Sequence, residues 1–241
     1  MKNLFTTRRL TMFIFFVFIG SAIYVIGRII AAPAYNASSI HIRVKSDYVL
    51  MLLQCILGAL AMMLPGFLQH KIQLDIPQKM IIVYAVYLYC AIYLGEIHSF
   101  YYHIPYWDSI LHAFSGMAFG AIGFSIISLL NKSETVPLSL SPAFVMLFAF
   151  CFSVSIGVLW EIYEFFIDSI FHTNMQKYMI EGGELLFGQS ALIDTMKDLI
   201  IDTVGAFVMS ILGYIFSRRK REWLDEVQIK HYNFIDQEPE R

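Results

Sequence analysis

The run from Leu10 to Ala32, interrupted by a single charge at Arg28, is the first of six apolar stretches that each approach the length of a bilayer crossing. A hydrocarbon core about 30 Å thick takes roughly 20 helical residues. The stretches lie near 10–31, 48–68, 78–98, 108–130, 142–170 and 194–217. Composition agrees: 15% of the 241 residues are charged and 58% hydrophobic, against about 25% charged in soluble domains. The fold expected is therefore all-α, a polytopic integral membrane protein with a bundle of about six transmembrane helices. Residues 1–221 form its membrane domain and 222–241 a short cytoplasmic tail. The first stretch lacks a small-residue cleavage site and exceeds a signal-peptide core, so it is expected to be a retained helix.

Lysine and arginine set the orientation. With the N-terminus inside, the cytoplasmic side holds Lys2, Arg8, Arg9, Lys71, Lys79, Lys132, the basic residues of "SRRKRE", Lys230 and Arg241. The other side holds only Arg28, Arg43, Lys45 and Lys177. The positive-inside bias thus puts both termini in the cytoplasm and reads the basic clusters as topology signals rather than a nucleic-acid surface. Cys55, Cys90 and Cys151 sit inside apolar runs without metal spacing and read as small core residues. The connection "HTNMQKYMIEGGELLFGQSA", with Gly182 and Gly183, is the candidate lid.

Ionisable residues inside the spans carry the functional signal, because each costs at least about 2.5–3.5 kcal/mol at the bilayer centre. In "YWDSILHAFSG", Asp108 and His112 are one turn apart on one helical face, with His112 about 6 Å deeper. In "DTMKDLIID", Asp194, Asp198 and Asp202 descend one face over about 12 Å. "WEIYEFFID" brings Glu161, Glu164 and Asp168 to the exit of the fifth stretch, and "LGEIHSFYYH" adds Glu96, His98 and His103 to the third. All four groups fall on the extracytoplasmic side at overlapping depths. Converging carboxylates require protons or cations between them, and an oxygen set with imidazole suits Zn²⁺, Mg²⁺, Mn²⁺ or Fe²⁺.

Plainer roles compete with this one. Asp108 and Asp194 stand where helix N-caps stand. The deeper residues are too far inside their helices to cap them, and their plain reading is a polar network between helices. Gly116, Gly120 and Gly123 are expected to serve close helix packing. Trp107 and Trp160 belong to an aromatic belt or line a pocket beside the acids.

"YHIPYWDSILHAFSG", "WEIYEFFID" and "ALIDTMKDLIIDTVGA" resemble the signature blocks of YjdF-type bacterial inner-membrane proteins, over about residues 94–213. More distantly the pattern is similar to VanZ-like membrane proteins, whose blocks would correspond to Asp108 and His112, Glu161, and Asp198 or Asp194 with Gly205. It departs where Glu164 replaces an expected Gln and Asp202 an Asn, which makes this site more acidic. The YjdF-type resemblance implies a bacterial cytoplasmic membrane, and the VanZ-like one an envelope context.

The leading functional expectation is a metal-dependent hydrolase or transferase acting on membrane lipid or a lipid-linked envelope substrate. Asp108, His112, Glu161, Asp198 and Asp202 supply the metal ligands, and Glu164 or Asp194 the general base. Glu96, His98, Trp107, Trp160 and Lys197 contact substrate. A proton- or cation-coupled transporter and a scaffold with a structural cation clasp are the alternatives. Oligomeric state is not legible in the sequence.

Overall fold

The computed structural model of the chain describes residues 2–34, 43–131, 140–180, 184–219 and 230–231. Among these, six helices are long and apolar enough to cross a membrane. They are α1 (Lys2–Ala31), α2 (Lys45–Lys71), α3 (Gln78–Leu88) with its continuation, α5 (Trp107–Asn131), α6 (Pro142–Phe171) and α7 (Ile193–Arg219). A one-turn helix, α4 (Phe100–His103), sits between the third and fourth spans. Large apolar side chains such as Phe13, Phe16, Leu60, Phe165, Phe166 and Phe207 are exposed on the outward faces. In water such a surface would drive association; in a bilayer it is the solvated face.

Local chemistry sets the helix ends. At the start of α6 the Ser141 hydroxyl accepts from the Phe144 N–H and Pro142 occupies the first turn, where its missing N–H costs nothing. The helix ends at His172, which takes a left-handed conformation with φ 54°. At the start of α2 the Asp47 carboxylate accepts from Val44 N–H at 2.8 Å, a favourable place for negative charge. Pro65 lies inside α2 and cannot donate to the carbonyl four residues back. The Tyr84 hydroxyl from α3 fills that vacancy, donating to Ala61 O at 2.9 Å.

The third span departs from the regular helix expected over 78–98. From Tyr89 to Ile97 it continues as a π-helix, whose wider turns shift the side-chain register. Tyr101 packs so closely on this segment that a Cβ at Gly95 would lie 2.5 Å from its ring. Glu96 is buried there.

Two trios of helices make up the molecule. Helices α5, α6 and α7 pack tightly on one another, while α1 packs on α2 and α3; the trios meet at far fewer points. The glycines explain the tight trio. A Cβ at Gly116 would stand 2.5 Å from Asp202 O, one at Gly205 2.7 Å from Ala113 O, and one at Gly123 2.8 Å from Ala149 Cα. Gly120 likewise faces Met209, so the small residues of α5 serve helix packing as expected. A cavity of about 410 Å³ lies in the seam between the trios, lined from α2, α3, α5, α6 and α7.

Most of the expected tail, 222–241, lies outside the described residues. Within it, β2 (Lys230–His231) pairs antiparallel with β1 (Leu74–Asp75), which joins α2 to α3.

Candidate metal centre

His112 is the hub. Its position one turn below Asp108 on α5 turns both side chains to the seam, and α7 crosses there with Asp198 and Asp202 on one face. The two ring nitrogens have different partners. Nδ1 lies 3.1 Å from Asp202 Oδ2, while Nε2 faces Asp108 Oδ1 at 3.7 Å and Asp198 Oδ2 at 3.9 Å. Donation from Nδ1–H to Asp202 leaves Nε2 directed at two carboxylates, an arrangement that calls for a proton or a metal ion between them.

The spacing fits an ion. Two ligands about 2.1 Å from a common tetrahedral centre stand roughly 3.4 Å apart, close to the two Nε2–oxygen distances. One ligand atom each from Asp108, His112 and Asp198 lies within 4.8 Å of the others. Asp198 is 2% exposed and its Oδ1 has no hydrogen-bond partner. Leaving a buried carboxylate oxygen unpaired costs about 1–3 kcal/mol, so a proton, a water or an ion is favoured there.

Asp202 stands on the other ring nitrogen, apart from the converging trio. It accepts from Ser115 Oγ at 2.9 Å as well as pairing with His112, and Gly157 on α6 leaves room for it: a Cβ there would meet Asp202 Oδ2 at 2.8 Å. A carboxylate so placed would fix the orientation of the His112 imidazole toward an ion on its other nitrogen.

Helix α6 presents a buried stripe of Gly157, Glu161, Glu164 and Asp168. Glu161 is buried but does not line the cavity; Glu164 and Asp194 do. Asp168 has a different task. It accepts from Thr173 Oγ1 at 2.6 Å, Met175 N at 2.8 Å and Gln176 N at 2.9 Å, folding the chain after α6 back over the end of the bundle.

That folded segment carries the cation the sequence reading missed. Lys177 lines the cavity, donates to Met175 O at 3.0 Å, and lies over the rings of Tyr101 and Tyr102 at 5.1 and 5.6 Å. Burial opposes its charge, but Tyr102, Glu96, Asp108 and Asp194 outweigh that and raise its pKa above the ordinary lysine value. Gly182 and Gly183, the expected lid residues, lie outside the described residues.

Of the residues expected to contact substrate, Glu96 and Trp160 line the cavity. His98 is exposed and packs edge-on to Tyr93, Lys197 is exposed, and Trp107 packs edge-on to Phe100; these three do not line it. Lys197 follows directly from helix geometry, since a neighbour of Asp198 cannot share its face. Tyr101, expected from the sequence only as part of an outer aromatic belt, also lines it, as do Tyr87 and Ser115, which the sequence did not single out.

The fold and this cluster define a multi-pass α-helical membrane protein with a buried His/carboxylate site. Comparison with known families places the chain more narrowly: residues 28–219 match the family described as "Predicted membrane protein (DUF2238)", and the chain belongs to it. An uncharacterized protein of Thermotoga maritima is 31% identical over 143 residues, covering 58% of this chain and 64% of that protein, so the chain spans just under two thirds of that relative's length. No solved structure matches the chain.

Proposed function

We propose that the protein is a metal-dependent enzyme of the bacterial cytoplasmic membrane that hydrolyses, or transfers a group from, a lipid or lipid-linked envelope substrate. The observation that carries this reading is the pairing of His112 Nε2 with Asp108 and Asp198 in a cavity whose other end is apolar. Asp108, His112 and Asp198 are the ligands and Asp202 orients His112. Imidazole favours Zn²⁺ or Fe²⁺ and the carboxylates also suit Mn²⁺ and Mg²⁺. Such an ion supplies Lewis-acid activation of a phosphoryl or acyl oxygen and acidifies water.

The remaining steps belong to side chains. Glu164 or Asp194, both on the cavity wall, accepts a proton from the attacking water or hydroxyl. Leu57, Ala61 and Leu159 at the apolar end exclude water and hold hydrocarbon. The excess of Lys and Arg in the connections on the other side supports cytoplasmic termini and an extracytoplasmic site. The resemblance of the three polar blocks to YjdF-type and, more distantly, VanZ-like proteins agrees with an envelope role.

Purified full-length protein in mixed lipid micelles tests this. Head-group or fatty-acid release from a panel of envelope lipids should appear, stop on chelation, and return with one of the four metals. Proton or cation flux in liposomes, with no turnover of any lipid, would instead identify a carrier.

A further inference from the structure

Leu57, Leu159 and Trp160 line the cavity and keep 37, 59 and 38% of their surface exposed. They belong to α2 and α6, which come from different trios and touch at few points. A wall built by two helices with so little contact between them is where the cavity can open to the bilayer. Its far end carries Lys177, the sole Lys or Arg among the described lining residues.

From these features we infer that the cavity takes an anionic phospholipid sideways from the bilayer, its phosphate held by Lys177 and its chains lying along the α2/α6 seam. The inference rests on the proposed reading of the cavity as a substrate site and names the class of substrate.

Three arguments support the assignment. Charge comes first: carboxylates dominate the polar end, so an anion is repelled everywhere except beside Lys177 and the proposed ion. The ammonium above two tyrosine rings donates to the Asn174 and Met175 carbonyls at 3.4 and 3.0 Å, which leaves its third N–H for phosphate, to which lysine binds as a point charge. Size comes second. About 410 Å³ suits a head group and the first part of its chains, with the remainder left in the surrounding bilayer. Entry comes third, because a lipid that leaves its chains in the membrane needs the lateral gap that Leu57, Leu159 and Trp160 border.

Trp160 reports occupancy of that gap directly. In a Trp107→Phe, Trp223→Phe background, where Trp160 is the remaining tryptophan, the protein is placed in nanodiscs of brominated phosphatidylcholine doped with unbrominated phosphatidic acid. Relief of quenching gives the relative binding constant of the two lipids at the seam. A charge-assisted hydrogen bond predicts about a tenfold preference for phosphatidic acid. Lys177→Met should reduce that preference to about one, and Lys177→Arg should retain it.

Equal binding of the two lipids in the unmodified Lys177 protein overturns the inference whether or not the variants fold. So does a preference that survives Lys177→Met. Inorganic phosphate supplies the other arm: if it displaces phosphatidic acid from the seam, the site reads free phosphate and the lipid assignment falls. Metal content measured on the same nanodiscs separates the two proposals. A bound metal without lipid preference sinks this inference alone, whereas lipid preference without metal sinks the metal reading alone.

Discussion

Gly116→Ala is the sharpest perturbation of the tight trio. The added Cβ would stand 2.5 Å from Asp202 O, 3.0 Å from Asp202 Cα and 3.1 Å from Asp202 C. All three are backbone atoms of α7, so no side chain can swing aside. Ordinary contact needs about 3.5 Å, and the helices must separate by roughly 1 Å. Asp202 would then move with its backbone, and its contacts to Ser115 at 2.9 Å and His112 at 3.1 Å would open beyond hydrogen-bond range.

Overpacking costs about 1–3 kcal/mol and stranding a buried polar group about 1–3 more, offset by up to about 1 from alanine's better helix propensity. A net loss of about 2–4 kcal/mol lowers Tm by roughly 5–15 °C for a chain of this size. Thermal unfolding in detergent measures it, with Gly20→Ala as the control because nothing lies within 4 Å of that position. Gly20→Ala should be neutral or slightly stabilising. If Gly116→Ala melts with the control, the close approach of α5 and α7 described above is wrong.

Tyr84→Phe removes the donor that serves Ala61 O beside Pro65 and should cost about 1 kcal/mol; in a Pro65→Ala background the loss should shrink, which a double-mutant cycle in thermal unfolding reads directly. Asp168→Asn weakens three bonds to residues 173–176, and faster hydrogen exchange across 173–180 with the helices unaffected is the expected result. Lys177 has a raised pKa, and a cation of that kind stabilises the fold below its unfolded pKa and loses the contribution only as pH rises through the folded one. The Tm difference between the native protein and Lys177→Met should therefore stay constant from neutral pH to about 10, near the ordinary lysine value.

Much of this architecture is written in simple periodicities. Six long apolar runs give six spans because a bilayer leaves few alternatives, and the four-residue steps of Asp108 with His112 and of Asp194, Asp198 and Asp202 put each set on one face. A step of one residue turns about 100° round a helix, and Lys197, next to Asp198, does not line the cavity. Other features depend on contacts that no periodicity announces. Lys177 sits in a connection that looks like solvent-exposed loop until Asp168 gathers the N–H groups of Met175 and Gln176 and folds it inward. The π-helical turns that hold Glu96 buried pack against Tyr101 and leave His98 outside. The seam between α2 and α6 is a property of how two trios meet, and neither helix carries a local signal for it.

The central claim is that Asp108, His112 and Asp198 hold a divalent ion. Elemental analysis of the purified full-length protein, beside a folded His112→Gln, Asp198→Asn variant, tests it most directly. The native protein should carry close to one equivalent of a single divalent metal per chain, and the variant should lose it. Native protein that stays metal-free after equilibration with Zn²⁺, Mn²⁺, Fe²⁺ and Mg²⁺ would contradict it, as would equal metal in the two proteins.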